Sequence, residues 1–241
     1  MILLDNTQLI LANIFATMNQ GEEINSGLLR HLVLNTYRMY KRKFGNKYGE
    51  MVICNDASNY WRKDIFPQYK GNRKKSQKRS HLNWNEIFDG LKIVRDEVVE
   101  VFPYKNIMVP RAEADDIIGV LCRTYYTQGP IMIVSSDKDF QQLQMLANVK
   151  QYSPMKKQYL NCEHPMNFLT EHIIKGDSSD GIPNILSDND VFVEEDKRQK
   201  PCGKKKIAEI LSDIDEWKKT DNWKRNETMI NLNLVPEEIA Q

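Results

Sequence analysis

The sequence lacks the features that characterise membrane, secreted and disordered proteins. No apolar stretch reaches the roughly 18 residues that a membrane-spanning helix needs, so we expect no membrane partner. The apolar N-terminus has no basic leader and carries an acid at Asp5, which argues against a secretion signal. The four cysteines include no C-x-x-C pair, a pattern typical of reduced thiols in a cytoplasmic protein. With 41% hydrophobic and 28% charged residues, the composition is globular.

The sequence also has no excess of basic over acidic residues or the reverse, since it contains 34 Lys and Arg and 33 Asp and Glu, and the formal net charge is +1. The average charge therefore gives no indication of a nucleic-acid partner. The distribution along the chain is uneven, however. Acids are concentrated after apolar segments, and bases are concentrated between Trp61 and His81.

Short apolar runs alternate with longer segments of helical periodicity. The predicted strands are Ile2–Leu4, Met51–Cys54, Ile107–Val109 and Ile131–Val134, and residues 28–44, 84–101 and 114–126 have helical spacing. This alternation predicts an α/β fold with a mostly parallel central sheet flanked by helices. The last third shows helical spacing and turn signals without a strand. We therefore expect an α/β domain over residues 1–175 and a helical appendage over 176–241.

Carboxylates directly follow each predicted strand. Six lie within a few residues of a strand end and two more lie further on: Asp5, Asp56, Glu113, Asp115, Asp137, Asp139, Asp177 and Asp180. In an open α/β sheet ligands bind at the carboxyl ends of the strands, so we expect these acids to converge on one crevice. Taken singly, several of them could be helix caps, but a cap needs one acid per helix start and most of these acids come in pairs.

A crevice with so many carboxylates needs compensating charge. Unit charges about 4 Å apart repel by roughly 4 kcal/mol at an effective dielectric constant near 20. Protons, basic partners or metal ions could relieve this repulsion, and few basic residues besides Lys138 and Lys175 lie near the acids in sequence. Oxygen ligands favour Mg²⁺ or Mn²⁺ over zinc. We therefore predict two Mg²⁺ ions, replaceable by Mn²⁺, that activate a water and stabilise the leaving oxygen of a phosphodiester.

A basic stretch interleaved with aromatic rings follows Asp56. Between Trp61 and His81 there are eight Lys or Arg residues and a single acid, Asp64. An isolated basic run is usually a solvated surface, but this one adjoins the predicted crevice, where it could grip phosphates and stack on bases. The candidate nucleic-acid contacts in this stretch are Arg62, Lys63, Tyr69, Lys70, Arg73, Lys74 and Lys75.

Several short motifs occur in the order found in one nuclease superfamily. They are Asp5 after the first strand, Y-K-G-N-R at 69–73, E-A-D-D at 113–116, S-S-D-K-D-F at 135–140 and G-D-S-S-D at 176–180. Together they resemble the 5′-nuclease (flap endonuclease) superfamily, and in detail the RNase H 5′ nucleases of T-even bacteriophages. The resemblance runs from Asp5 to at least Asp180. It implies a PIN-like fold with a helical arch over about residues 57–82.

The resemblance also implies roles for the matching residues. A first metal site would be shaped by Asp5, Asp56, Glu113, Asp115 and Asp137, and a second, partly through waters, by Asp139, Asp177 and Asp180. Asp116 would contact these ligands without binding a metal ion itself. Lys70 and Arg73 would be catalytic, because in this superfamily the matching pair contacts the scissile phosphate from the base of the arch.

The activity implied by the resemblance is 5′-to-3′ exonuclease and flap endonuclease cleavage of duplex DNA and RNA–DNA hybrids. Such enzymes remove RNA primers during lagging-strand replication. The implied partners are therefore DNA, RNA–DNA hybrids and forked or flap junctions. A single-strand binding protein and a replication clamp are candidate protein partners.

The helix-three-turn-helix of this superfamily is interrupted in this chain. The motif begins with G-I-P at 181–183 and is completed by P-C-G-K-K-K-I-A at 201–208, after a charged insertion over 186–200. Three lysines at the predicted helix start are candidate duplex contacts: Lys204, Lys205 and Lys206. They could equally be a solvated helix end.

Two other hypotheses stay open at the level of sequence. A PIN-type single-strand ribonuclease would share the acidic α/β crevice, but it does not require the Y-K-x-x-R motif or the second acidic pair. A non-catalytic nucleic-acid-binding replication factor would keep the fold without the chemistry. Loss of one or more acids would indicate this last class, and none of the expected acids is missing.

Overall fold

The computed structural model describes residues 1–18, 25–73 and 84–240, and a six-stranded sheet lies at its centre. The strands are β1 (Ile2–Asp5), β2 (Met51–Cys54), β3 (Lys105–Ile107), β4 (Ile131–Val134), β5 (Val149–Ser153) and β6 (Gln158–Leu160). Their order across the sheet is β3-β2-β1-β4-β5-β6, and all neighbours are parallel except β5 and β6. The mostly parallel sheet predicted from the sequence is confirmed.

Helices cover both faces of this sheet. They are α1 (Asn6–Met18), α2 (Ser26–Tyr48), α3 (Arg62–Ile65), α4 (Trp84–Val101), α5 (Ala114–Tyr125), α6 (Pro165–Lys175), α7 (Lys204–Ser212), α8 (Ile214–Trp217), α9 (Asp221–Ile230) and α10 (Glu237–Ala240), with 3-10 helices at Lys138–Met145 and Leu232–Leu234. Residues 71–73 are also helical. Within the described ranges, no helix combines the length and apolarity needed to cross a bilayer.

The first strand shows how the two faces are built. Leu3 belongs to the hydrophobic cluster shared with α5, α6 and α9, whereas Ile2 and Leu4 belong to the cluster shared with α1, α2 and α4. All three side chains are fully buried. Parallel strands covered by helices on both faces are typically continuous apolar runs rather than alternating ones. This is why the short run I-L-L was recognisable as a strand.

The structure differs from the sequence prediction at β3, β5 and β6. β3 lies two residues earlier than predicted, and its residues are exposed or half-buried, so no apolar run marks it. In β5, Gln151 and Ser153 are polar but buried. The Gln151 amide donates to the carbonyl oxygens of Ser135 at 3.0 Å and Asp137 at 2.6 Å. Because apolar periodicity is the main local signal of a strand, these polar residues concealed β5.

Two buried amides attach the C-terminal segment to the rest of the fold. Asn226 of α9 donates to the carbonyl oxygens of Ile173 at 2.7 Å and Pro183 at 2.8 Å. Gln142 donates to the carbonyl of Ile230 at 3.0 Å and accepts from the amide of Leu232 at 2.9 Å. Both side chains are fully buried, and leaving such a group unpaired would cost about 1–3 kcal/mol. The predicted boundary between residues 175 and 176 stays a prediction.

Candidate metal centre

Acids from three neighbouring strands meet at one edge of the sheet. Asp5 is the last residue of β1, Asp56 follows β2 by two residues, and Asp137 follows β4 by three residues. Asp115, in the first turn of α5, joins them, and the four side chains line a single cleft of about 1010 Å³. The parallel order β2-β1-β4 places the carboxyl ends of these strands side by side, which is why residues so distant in sequence come together.

Local hydrogen bonds hold three of these carboxylates in position. Asp5 accepts from the Ser135 hydroxyl at 2.8 Å, and Asp56 accepts from the Ala114 amide at 2.9 Å. Asp137 accepts from the amide of Asp139 at 2.9 Å and so caps the 3-10 helix that follows β4. A helix-capping role, considered above for these acids taken singly, is therefore present at Asp137. It uses one carboxylate oxygen and leaves the second free for a ligand.

Burial and mutual repulsion favour the protonated forms of these acids. Burial, together with the charges of Asp56 and Asp137, raises the pKa of Asp5 to about 7. Burial and repulsion from Asp137 and Asp5 also raise the pKa of Asp115 well above its usual range. Burial raises the pKa of Asp137 itself. A divalent cation among these oxygens would reverse the shifts, so the donor set fits a hard metal ion such as Mg²⁺ or Mn²⁺.

A second group of ligand-type side chains consists of Asp139, His172 and Asp177. One ligand atom from each residue lies within 4.8 Å of the others. Nδ1 of His172 lies 3.3 Å from an oxygen of Asp139, and Nε2 lies 3.3 Å from an oxygen of Asp177. Sequence analysis did not identify His172. The signal that could have found it is a histidine in the last turn of the helix that leads into the G-D-S-S-D motif.

The two acids of this second group have opposite pKa shifts. Burial and repulsion from neighbouring aspartates raise the pKa of Asp139 well above its usual range. Burial alone would raise the pKa of Asp177, but the nearby His172 ring, the Ser179 hydroxyl and the Lys138 ammonium hold it well below its usual range. Asp177 is therefore ionised at neutral pH, and a cation close to Asp139 would favour the ionised form of that carboxyl.

Glu113 and Asp116 form a buried ion network with Arg62. The Arg62 guanidinium donates to Glu113 at 2.9 Å and to the two oxygens of Asp116 at 2.8 and 3.0 Å. The Tyr69 hydroxyl donates to Glu113 at 2.9 Å. Arg62 is 2% exposed and Tyr69 is 3% exposed. Their polar groups are engaged inside the protein and their surfaces are covered, which does not favour the prediction that Arg62 and Tyr69 contact nucleic acid; that contact stays a prediction.

Lys70 and Arg73 contact the acids from the side of the basic stretch. The Lys70 ammonium donates to Glu113 and lies 3.8 Å from an oxygen of Asp180, while Arg73 pairs with the other Asp180 oxygen. Lys70 has a φ of 58°, in the left-handed region, and its amide donates to the Asp180 carbonyl at 2.7 Å. Such a conformation costs about 1–3 kcal/mol in a residue other than glycine. Both basic side chains line the acidic cleft.

The lysines at the start of α7 are partly available to a ligand. Lys204 and Lys205 are exposed, whereas Lys206 is half-buried and pairs with Glu209 at 2.6 Å. Gly203 precedes the helix, so no side chain caps its first amides. An uncapped helix start with two exposed cations is suited to binding a phosphate.

The remaining predicted contacts belong to the basic stretch. Lys63 is exposed on α3, with its ammonium 5.2 Å from the centre of the Tyr60 ring. Lys74 and Lys75 lie outside the described residues, as do the other residues of the predicted arch from 76 to 82. The roles of these lysines and the arch itself stay predictions.

Comparisons with known proteins agree on one family and one fold. The family described as 5′-3′ exonuclease, N-terminal resolvase-like domain, matches residues 1–170. The chain is 32% identical to ribonuclease H of Enterobacteria phage T4, over 99% of this chain and 83% of that protein. It is 28% identical to a 5′-3′ exonuclease of Buchnera aphidicola, over 71% of this chain and 59% of that protein. A bacteriophage T5 D15 flap endonuclease has the same fold; it was solved as a pseudo-enzyme–product complex with DNA and metal ions. The TM-score is 0.69 at 16% identity, and the match covers 99% of this chain and 94% of that one.

Proposed function

The chain belongs to the 5′-3′ exonuclease family, and from this premise we propose that it is a metal-dependent 5′-to-3′ exonuclease and flap endonuclease. It hydrolyses phosphodiesters in duplex DNA, RNA–DNA hybrids and forked or flap junctions, and it removes RNA primers in lagging-strand replication. The observation that carries this proposal is the convergence of Asp5, Asp56, Asp115 and Asp137 on one cleft beside Lys70.

We propose two Mg²⁺ ions, or Mn²⁺ in their place, as the cofactors. When bound, they supply a polarised water and a counter-charge for the leaving oxygen of the phosphodiester. The carboxylates of the cleft hold the first ion, and Asp139, with Asp177 and Asp180 around it, holds the second, partly through waters. The raised pKa values of Asp5, Asp115 and Asp139 support this assignment, because such acids bind a cation with relief of repulsion.

Lys70 and Arg73 neutralise and position the scissile phosphate in this scheme. The Lys70 ammonium is held at the cleft wall by Glu113, so its charge is in place before the substrate arrives. The Arg73 side chain is 50% exposed and pairs only with Asp180 among the described acids, so it can turn to a phosphate. Its planar guanidinium can donate two parallel hydrogen bonds to phosphate oxygens. Preorganised cations of this kind stabilise charge that develops in the transition state.

The uncapped start of α7 holds the duplex portion of the substrate. Lys204 and Lys205 contact backbone phosphates together with the free amides of the first helical turn. These contacts do not depend on base sequence, so they fit an enzyme that recognises the form of a junction. The protein partners, a single-strand binding protein or a replication clamp, remain predictions of the family resemblance.

Cleavage of a 5′-labelled flap duplex and a 5′-labelled RNA–DNA hybrid tests the proposal. Each substrate is incubated with Mg²⁺, with Mn²⁺ and with a chelator. We expect metal-dependent release of short 5′ products. Asp115→Asn should abolish cleavage while retaining DNA binding, and Asp213→Asn, which changes an exposed acid after α7, should cleave normally.

Other results would support other functions. Salt-sensitive DNA binding without cleavage in either metal would indicate a non-catalytic replication factor. Cleavage confined to single-stranded RNA, and unaffected by Lys70→Ala, would indicate a PIN-type ribonuclease. Equal cleavage in the presence of the chelator would contradict the metal-dependent mechanism itself.

A further inference from the structure

His172 is a buried imidazole without a hydrogen bond. The residue is 5% exposed, and within the described structure neither ring nitrogen has a hydrogen-bond partner. One oxygen of Asp139, Oδ1, is also buried and unpaired. Buried polar groups are nearly always satisfied in folded proteins, and an unsatisfied one costs about 1–3 kcal/mol. Unpaired ligand-type atoms at one place indicate a partner that the protein itself does not provide.

The spacing of these atoms matches that of ligands around one ion. Nδ1 of His172 lies 3.3 Å from Oδ1 of Asp139. Two ligand atoms at right angles, each about 2.1–2.3 Å from a metal ion, lie about 3.0–3.3 Å apart. The two atoms approach each other without forming a hydrogen bond.

The other side of the ring faces a carboxylate that is already anchored. Nε2 of His172 lies 3.3 Å from Oδ2 of Asp177. The second oxygen of Asp177 accepts from the Ser179 amide at 2.8 Å and hydroxyl at 2.6 Å, and Oδ2 lies 3.0 Å from Lys138. Metal-bound histidines almost always donate their second ring N–H to a carboxylate, a backbone carbonyl or a water, which fixes the tautomer and the ring orientation. Asp177 is placed to be that carboxylate.

We propose that His172 is a direct ligand of the second metal ion, binding through Nδ1 together with Oδ1 of Asp139, with Nε2–H directed to Asp177. This inference rests on the proposed function, because it concerns the metal centre of the proposed nuclease. An imidazole nitrogen favours Mn²⁺ and other transition metals over Mg²⁺, whereas carboxylate oxygens suit Mg²⁺. The second site therefore prefers Mn²⁺, and the all-oxygen site in the cleft takes Mg²⁺ or Mn²⁺.

Pulsed electron paramagnetic resonance of bound Mn²⁺ tests the assignment, because the spin-echo modulation reports nitrogen nuclei bonded to the ion. Wild-type protein is saturated with Mn²⁺ in two forms, unlabelled and with isotope-labelled histidine. We expect the nitrogen modulation to change with the histidine label. His172→Asn should lose the histidine signal. His164→Asn, which changes an exposed histidine at the start of the same helix, should keep it.

Calorimetric titration gives a second measurement of the same site. His172→Asn should weaken Mn²⁺ binding at the second site by at least about 10-fold, because removing even a residue that only orients a metal ligand costs about 10- to 100-fold. Its effect on Mg²⁺ should be smaller, because the asparagine amide oxygen is an acceptable Mg²⁺ ligand. The ratio of Mn²⁺ to Mg²⁺ affinity should therefore fall in His172→Asn and stay at the wild-type value in His164→Asn.

Two outcomes would overturn the assignment of His172 as a ligand, and only one of them would also overturn the proposed function. Wild-type protein that binds two Mn²⁺ ions without histidine modulation would show His172 to be a counter-ion of two aspartates, and the nuclease proposal would stand. Wild-type protein that binds no Mn²⁺ would overturn the metal dependence of the proposed function together with the ligand assignment. The decisive spectrum comes from labelled wild-type protein, so it does not depend on the folding of a variant.

Discussion

The substitution Arg62→Met tests whether the Arg62 side chain stabilises the fold or binds the substrate. The change keeps most of the side-chain volume and removes the charge. Three hydrogen bonds of 2.8–3.0 Å to Glu113 and Asp116 would be lost, along with one of 2.9 Å to the Met229 carbonyl. Asp116 has no exposed surface and Glu113 only 1%, so water could not replace the cation.

The expected cost follows from the burial of the pair. Breaking a buried ion pair by removing one partner typically costs about 3–5 kcal/mol, out of a total free energy of unfolding of about 5–15 kcal/mol. With a urea dependence of about 2–3 kcal/mol per molar, the unfolding midpoint of Arg62→Met should fall by roughly 1–2.5 M. Arg73→Met is the matched control. Its side chain is 50% exposed, so its loss should cost no more than about 1 kcal/mol.

Urea unfolding monitored by circular dichroism, with and without DNA, measures both effects. An Arg62→Met protein that unfolds at the wild-type urea concentration but binds DNA weakly would refute this reasoning. Such a result would support the sequence-based prediction of a nucleic-acid contact at Arg62. A large loss of stability in Arg73→Met alone would also contradict it, because an exposed pair should contribute little.

Three other predictions concern the acidic cleft and its cations. Without metal, the free energy of unfolding should fall as pH rises from about 4 to about 7. The Asp5 pKa is raised from 3.8 to about 7 in the folded state. Over that pH range the folded state therefore keeps a proton that the unfolded state has released. Thermal melts in chelator should show this fall and melts in saturating Mn²⁺ should not; a flat profile in chelator would contradict the pKa shift. Lys70→Ala should lower turnover more than affinity, measured by single-turnover cleavage and by equilibrium binding. A pure binding defect would exclude the catalytic role. Lys47→Ala, which changes an exposed lysine outside the cleft and the basic stretch, is the matched control. Replacing Lys204 and Lys205 together by alanine should weaken duplex binding and leave the maximal cleavage rate unchanged. The dependence of binding affinity on salt concentration should fall by about one released counterion per lysine. An unaltered salt dependence would show that these lysines are only a solvated helix end.

Much of the scaffold could be predicted from the sequence because its signals are local. The runs at β1, β2 and β4 are apolar on both faces, and the helices between them keep a regular apolar spacing. Acids at the ends of these strands then had to lie at one edge, because parallel strands bring their carboxyl ends together. The positions of Asp5, Asp56 and Asp137 after their strands thus predicted the cleft. β5 was not predicted because Gln151 and Ser153 are buried polar residues, and several of their hydrogen bonds are made to residues 14–17 positions earlier in the chain.

The sequence by itself determined which chemical groups this protein has and which ends of the strands carry them. Only the tertiary structure decided which of those groups are free to act. Arg62 is one base among many in its stretch, yet its guanidinium is matched by an acid 54 residues away and a carbonyl 167 residues away. His172 shows no motif of its own, yet the fold leaves it unpaired between Asp139 and Asp177. Burial and pairing depend on contacts between residues far apart in the chain, and no local pattern contains them.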